Sequence, residues 1–368
     1  AHHVGSPPTT FRNPWPSAGT KSSFSQMLRT RFSSNRNFVP VPTDPSELVT
    51  VRKPDWGAGK DGLKATWFGH ASFLVETSTS ASSASARGVR LLLDPVFGRM
   101  SPLPLGIGGP KRFVPLPCTL EEVPEVDAVV ISHDHYDHLD YETILKVYKT
   151  RGRGNVHFFG GLGMKAWFVG VGIAEGDVTE LDWWDESSLE VNGVGSMTLM
   201  CTPSQHFSGR NATSMGSSLW CSWVLKERGD VGGRNIYFAG DTAYRAVTEA
   251  DVAGGEEAIN SRPACPAFKE IGDKYGPFDL ALLPIGCFLP REFMSRVHCS
   301  PDDSICIHKD VRSRRSIGMH YGTIRGNLSA HYEDVREPPK QWKECCEKAG
   351  LKWGQEIGLC DIGETLLV

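Results

Sequence analysis

The sequence predicts an α/β fold in which β-sheets pack against one another and helices cover them from outside. Three observations carry that expectation. The first part of the body is mostly short runs of β-branched, aromatic and leucine residues, the later part alternates such runs with helical periodicity, and each histidine- or aspartate-bearing turn directly follows an apolar run. With 368 residues, 40% of them hydrophobic and 10% aromatic, the chain is long enough to bury a substantial core. It divides into a basic, proline-rich arm over 1–45 and one folded body over 46–368.

The arm carries no acidic residue before Asp44, whereas Arg12, Lys21, Arg29, Arg31 and Arg36 are scattered along it. Phe24, Met27, Leu28 and Phe32 fall on one face at helical spacing, which predicts a short basic amphipathic helix. Such a face suits either an anionic bilayer surface or the body of the same protein. The prolines at 7, 8, 14, 16, 40, 42 and 45 keep the remainder extended.

In the body, strands are expected over 63–69, 73–76 and 89–93, with the Ser/Thr/Ala stretch 77–87 as a flexible hairpin tip. Residues 97–113, rich in proline, glycine and apolar side chains, form a long loop suited to be a lip over a site. A buried strand over 126–131 leads through a polar turn into a helix over 141–150. Further strands are expected over 156–159, 197–201, 219–225, 235–239, 280–284 and 316–319, with helices over 164–169 and 302–309.

A net charge of −4 gives no overall attraction to nucleic acid. Ten cysteines without a C-x-x-C pair read as reduced, mostly buried thiols of an intracellular protein. No signal-peptide pattern is present, and no run of about 18 apolar residues suggests a membrane span.

The chemistry concentrates in Ser132-His133-Asp134-His135-Tyr136-Asp137-His138-Leu139-Asp140, an H-x-H-x-D-H turn at a strand end. Burying three imidazoles beside carboxylates costs several kcal/mol unless something pairs with them, and a divalent metal does so. His133 and His135, two apart on extended chain, can share one ion; Asp137 and His138 serve a second, about 3.5–4 Å away in the general two-metal arrangement. His206, Asp241 and His320 each follow an apolar run. His206 completes the first set, His320 joins the second, and Asp241, with two oxygens, bridges both.

The turn, together with Gly240-Asp241-Thr242, His206 and His320, resembles the metallo-β-lactamase superfamily. More narrowly, Phe11-Arg12-Asn13-Pro14-Trp15-Pro16, Gly109-Pro110-Lys111-Arg112-Phe113, Glu180-Leu181-Asp182-Trp183-Trp184 and Thr202-Pro203-Ser204-Gln205-His206 resemble the N-acylphosphatidylethanolamine-hydrolysing phospholipase D family. That resemblance implies a four-layer αββα sandwich, two zinc ions bridged by a hydroxide at one edge, and a homodimer; iron or manganese would suit the same ligands. It further implies that Asp134 orients a ligand or carries a proton and that His298 is a site histidine near the substrate; Tyr136, projecting from the same turn, is placed either to hydrogen-bond a phosphate oxygen or to pack. The sequence departs from the family pattern at Asp134, where mammalian members carry an amide, and at Tyr321, where a tryptophan would follow the last histidine ligand. The segment 245–264 is an insertion placed to reshape the substrate mouth, and 101–109 also differs.

Three readings stay open at this point. The first is a zinc phosphodiesterase releasing N-acylethanolamine and phosphatidic acid from a membrane phospholipid, attached peripherally to that membrane. The second keeps the metals but opens lactones or other small esters. The third is a non-catalytic, metal-stabilised scaffold that binds membranes.

Overall fold

The computed structural model describes residues 1–20, 28, 30–32, 36–79, 85–100, 109–211, 213–228, 233–326 and 328–368. Along the first half run β1 (His3–Val4), β2 (Thr10–Phe11), β3 (Lys64–Trp67), β4 (Phe73–Glu76), β5 (Arg90–Leu93), β6 (Lys111–Arg112), β7 (Ala128–Val130), α1 (Tyr141–Arg151), β8 (His157–Gly161), α2 (Lys165–Gly170) and β9 (Val178–Leu181). The second half holds β10 (Glu186–Val191), β11 (Gly195–Thr202), β12 (Ser222–Glu227), β13 (Asn235–Phe238), α3 (Glu249–Ala253), α4 (Gly255–Asn260), α5 (Ala267–Tyr275), β14 (Leu280–Pro284) and α6 (Arg291–Met294). It ends with α7 (Pro301–Asp310), β15 (Ser316–Met319), β16 (Ile324–Arg325), α8 (Glu337–Lys348), β17 (Ile357–Gly358) and β18 (Thr365–Leu367).

Two seven-stranded mixed sheets result, in the orders β18-β3-β4-β5-β7-β8-β9 and β10-β11-β12-β13-β14-β15-β17. Each begins with three antiparallel pairings and finishes with three parallel ones. The central strands read as unbroken apolar runs because both of their faces are covered. In β5, Leu91 and Leu93 enter the core between the sheets, while Leu92 turns outward to Val129, Ile144, Val147, Phe158 and Phe168 beneath α1 and α2. On the far side, Ile271 of α5, Ile305 of α7 and Trp342 of α8 belong to the core that also holds Leu282 and Ile317 of the second sheet. Helix, sheet, sheet and helix thus form the four-layer sandwich.

Several expectations shift in detail. The edge strand β10 was not anticipated, because its buried and exposed residues alternate and half of it is polar. The insertion at 245–264 forms α3 and α4, and none of its residues lines the cavity described below. Of the arm's expected amphipathic face, Phe24 and Met27 lie outside the described residues; Leu28 and Phe32 are exposed. Most of the expected lip, 101–108, and the hairpin tip at 80–84 also lie outside them.

Candidate metal centre

The strand directions bring five chain segments to one edge of the sandwich. Strands β5 and β7 are parallel and end at Asp94 and at the 132–140 turn, while β11, β13 and β15 of the other sheet end before His206, Asp241 and His320. The approach is close. A Cβ on Gly240, which sits at φ 57°, would lie 2.6 Å from Cβ of Ser132, so only glycine lets the aspartate turn meet the histidine turn. His70, Asp94 and His320 also hold positive φ angles of 53°, 37° and 61°, local strain of the kind that clusters at functional sites.

Asp241 lies at the centre. Its Oδ1 is 2.9 Å from His320 Nε2, and its Oδ2 is 3.3 Å from His138 Nε2, 3.7 Å from His206 Nε2 and 3.9 Å from both His133 Nε2 and His298 Nδ1. On one side His133 Nε2 is 2.8 Å from His135 Nδ1, which is 3.3 Å from His206 Nε2. On the other, His70, Asp137, His138 and His320 converge, with His70 Nε2 3.1 Å from Asp137 Oδ2. The ligand atoms of each group lie within 4.8 Å of one another.

The donor set fits a metal. His138 Nε2, both ring nitrogens of His320, Asp241 Oδ1 and His298 Nδ1 are buried without a hydrogen-bond partner, a concentration that a folded protein does not tolerate unless something else satisfies them. Several rings are held by the nitrogen facing away from Asp241. Ser132 Oγ contacts His133 Nδ1 at 2.9 Å, His206 Nδ1–H donates to Val297 O at 2.7 Å, and His138 Nδ1–H donates to Asp94 Oδ2 at 2.7 Å. Burial holds the imidazoles of His133 and His206 well below their ordinary value, leaving them neutral as metal binding requires. For Asp241 burial acts to raise the carboxyl, but the surrounding imidazoles, His138 foremost, outweigh it and keep the group ionised. These clusters can hold one or two metal ions.

The structure therefore brings together His133, His135, Asp137, His138, His206, Asp241 and His320, and places His298 beside them. Asp134 and Tyr136 point elsewhere. The Asp134 carboxylate accepts from Gly209 N at 2.7 Å, and the Tyr136 hydroxyl donates to Arg210 O at 3.0 Å beneath that arginine's guanidinium. Both groups bond to the loop that follows His206. Sequence reasoning missed His70 and Asp94. Each is a single polar residue at a strand end with no spacing pattern, and only its place on the same edge as the turn could have marked it.

A cavity of about 300 Å³ opens over the cluster, lined by His135, Asp137, Asp241, His298 and His320, with Phe207, Cys287, Arg325 and Glu333 around them. The β6–β16 ribbon, pairing Arg112 with Ile324, builds one wall through Gly109, Pro110, Ile324 and Arg325.

Comparison with known proteins agrees with this geometry. A family model described as a β-lactamase superfamily domain matches residues 89–321. The chain is 35% identical over 344 residues to N-acyl-phosphatidylethanolamine-hydrolyzing phospholipase D 1 of Caenorhabditis elegans, covering 92% of this chain and 86% of that one. It is 30% identical over 357 residues to the mitochondrial N-acyl-phosphatidylethanolamine-hydrolyzing phospholipase D of Saccharomyces cerevisiae, covering 87% and 67%. Among solved structures, Igni18, a metallo hydrolase from Ignicoccus hospitalis, aligns with a TM-score of 0.53 at 21% identity over 83% of this chain and 97% of that one. An isothiocyanate hydrolase from Delia radicum gut bacteria aligns with a TM-score of 0.56 at 19% identity over 82% and 98%.

Proposed function

The chain belongs to the metallo-β-lactamase superfamily and, within it, to the N-acylphosphatidylethanolamine-hydrolysing phospholipase D family, and from there we propose that this metal-dependent hydrolase is a dinuclear zinc phosphodiesterase releasing N-acylethanolamine and phosphatidic acid from membrane lipid. The observation that carries the reading is the placement of two ligand groups on either side of the single carboxylate of Asp241, at the floor of an open cavity. Two zinc ions held by His133, His135 and His206, by Asp137, His138 and His320, and by Asp241 between them would supply Lewis acidity and a water acidic enough to ionise near pH 7.

The remaining work falls to the chain's own residues. In the overall reaction a water oxygen bonds to phosphorus, the bond from phosphorus to the ethanolamine oxygen breaks, and that oxygen takes up a proton. His298 lines the cavity beside Asp241, and in this reading its ring meets a phosphoryl or leaving oxygen there. Arg325 is the one lysine or arginine among the described lining residues, and its guanidinium donates to the backbone carbonyls of Val39, Ala330 and Glu333.

A lipid substrate requires access to a bilayer surface. The exposed Leu28, Phe32 and Phe38 of the arm support peripheral attachment there. Among the described residues no helix is long and apolar enough to cross a membrane.

The test is to incubate zinc-loaded protein with vesicles containing N-acylphosphatidylethanolamine, and separately with a panel of lactones, and to identify products by mass spectrometry. Release of N-acylethanolamine together with phosphatidic acid is the expected result. Turnover of lactones alone, independent of vesicles, would overturn it.

A further inference from the structure

Far along the chain from the ligands around Asp241, the β1–β2 ribbon lays two histidines on one carboxylate. His2 Nε2 is 2.7 Å from Asp182 Oδ1, and His3 Nε2 is 2.7 Å from Asp182 Oδ2. We propose that His2, His3 and Asp182 form a further metal site, for a divalent transition-metal ion such as zinc, which clasps the arm to the body.

Hydrogen bonding alone does not account for the arrangement. His3 Nε2 is buried at 2.7 Å from a carboxylate oxygen yet makes no hydrogen bond there. All three ligand atoms lie within 4.8 Å of one another, and no residue of the group belongs to the clusters around Asp241. Two imidazoles and a carboxylate are a set that zinc accepts with water in the remaining position. Side-chain exposures of 18%, 35% and 24% leave that position open to solvent.

The surroundings pre-orient these ligands. The His2 ring stacks on Trp183 at 4.2 Å, the His3 ring meets the His2 ring edge-on at 4.2 Å, and Phe11 packs against His3. Asp182 Oδ1 accepts from Trp183 N at 2.8 Å, and the Trp183 indole donates to Trp220 O.

The clasp has a consequence for the main site. From β2 the arm runs on to Asn13, which donates from Nδ2 to His206 O at 2.8 Å, and to Ser17, which donates from Oγ to Gln205 Oε1 at 2.6 Å. An ion at His2, His3 and Asp182 therefore anchors the strap that holds the His206 loop.

Zinc bound per chain is measured after equilibrium dialysis at micromolar free zinc, for the wild type and for His3→Gln and Asp182→Asn. Each variant is expected to bind one ion fewer than the wild type, whatever total the Asp241 clusters contribute. Hydrogen exchange at the Phe11 and Arg12 amides, which bond to Gly216 O and His2 O, is expected to quicken in both variants. Equal stoichiometry in wild type and variants would overturn the proposal. Should a variant fail to fold, wild-type crystals grown at micromolar zinc decide: an anomalous peak between the three side chains supports the site, and its absence, or a peak at millimolar zinc alone, overturns it.

Discussion

Asp94 shows how a residue that need not touch a metal can control one. Its carboxylate takes Ser132 N on Oδ1 at 2.7 Å, and Ser132 Oγ and His138 Nδ1–H on Oδ2 at 2.5 and 2.7 Å. All of these partners donate, so an amide at this position must turn its NH2 toward a donor. If it faces His138, the imidazole is forced to protonate on Nε2 and can no longer ligate. Asp94→Asn is therefore expected to weaken metal affinity by about 10–100-fold while leaving the fold intact. Chelator competition measures the first and circular dichroism the second; unchanged affinity would remove Asp94 from the support of the site. The contrast with the H-x-H-x-D-H turn explains what could be read in advance. Four ligands within six residues make a pattern, whereas Asp94 and His70 acquire meaning once β3, β4, β5 and β7 lie side by side. Asp134 marks the opposite limit. Its place inside the motif suggested chemistry, but its side chain turns to Gly209.

At the level of elements, the arm is tied to the body more tightly than its prolines suggest. Trp15 stacks on Trp183 at 5.3 Å, Trp220 donates from Nε1 to Asn13 Oδ1 at 3.1 Å, and Ser17 O accepts from Ala246 N at 2.7 Å. Asn13 thus spans an indole and the carbonyl of a ligand residue. Asn13→Ala leaves His206 O without its donor and is expected to lower metal occupancy and kcat several-fold with KM little changed, while circular dichroism stays native. A rise in KM alone would argue that the arm meets substrate instead. Helix α7 offers an independent check on packing against β15. His308 is buried, with Nδ1 2.8 Å from Ser316 Oγ, and burial pushes its pKa down to about 4 from an ordinary value near 6.5. Because the folded value lies below the unfolded one, its contribution is complete above about pH 6.5 and is lost as the pH falls toward 4. Urea unfolding of the zinc-loaded wild type should accordingly lose stability between pH 7 and 5 relative to His308→Gln, and parallel curves for the two proteins would contradict the assigned burial. Apolar runs such as β14 and β15 were legible to the residue because both faces are covered. β10 was not, since an edge strand with one wet face looks like loop.

For the whole molecule, the position of the ligands matters as much as their identity. Asp94 and the 132–140 turn belong to the first sheet, while His206, Asp241 and His320 belong to the second, so metal bound among them joins the two halves of the sandwich. The alternation of sheets and helices could be read from the sequence. The strand order could not, because three parallel pairings in each sheet require crossovers that leave no local signal. Removing the metals leaves Asp241 ionised among imidazoles with no partner for His138 Nε2 or His320 Nε2, at a site that both sheets share. Each ion at a hundred times its dissociation constant contributes about 2.7 kcal/mol to the folded state. Chelation is thus expected to lower the melting temperature by about 5–10 °C in a chain of this length and to abolish hydrolysis, with both restored by zinc. Since the ligands come from both sheets, the loss should appear as one cooperative transition moved downward, followed by calorimetry. If the metal-free protein instead melted in two steps, with one sheet persisting, the site would be an appendage of a single half rather than a link between them.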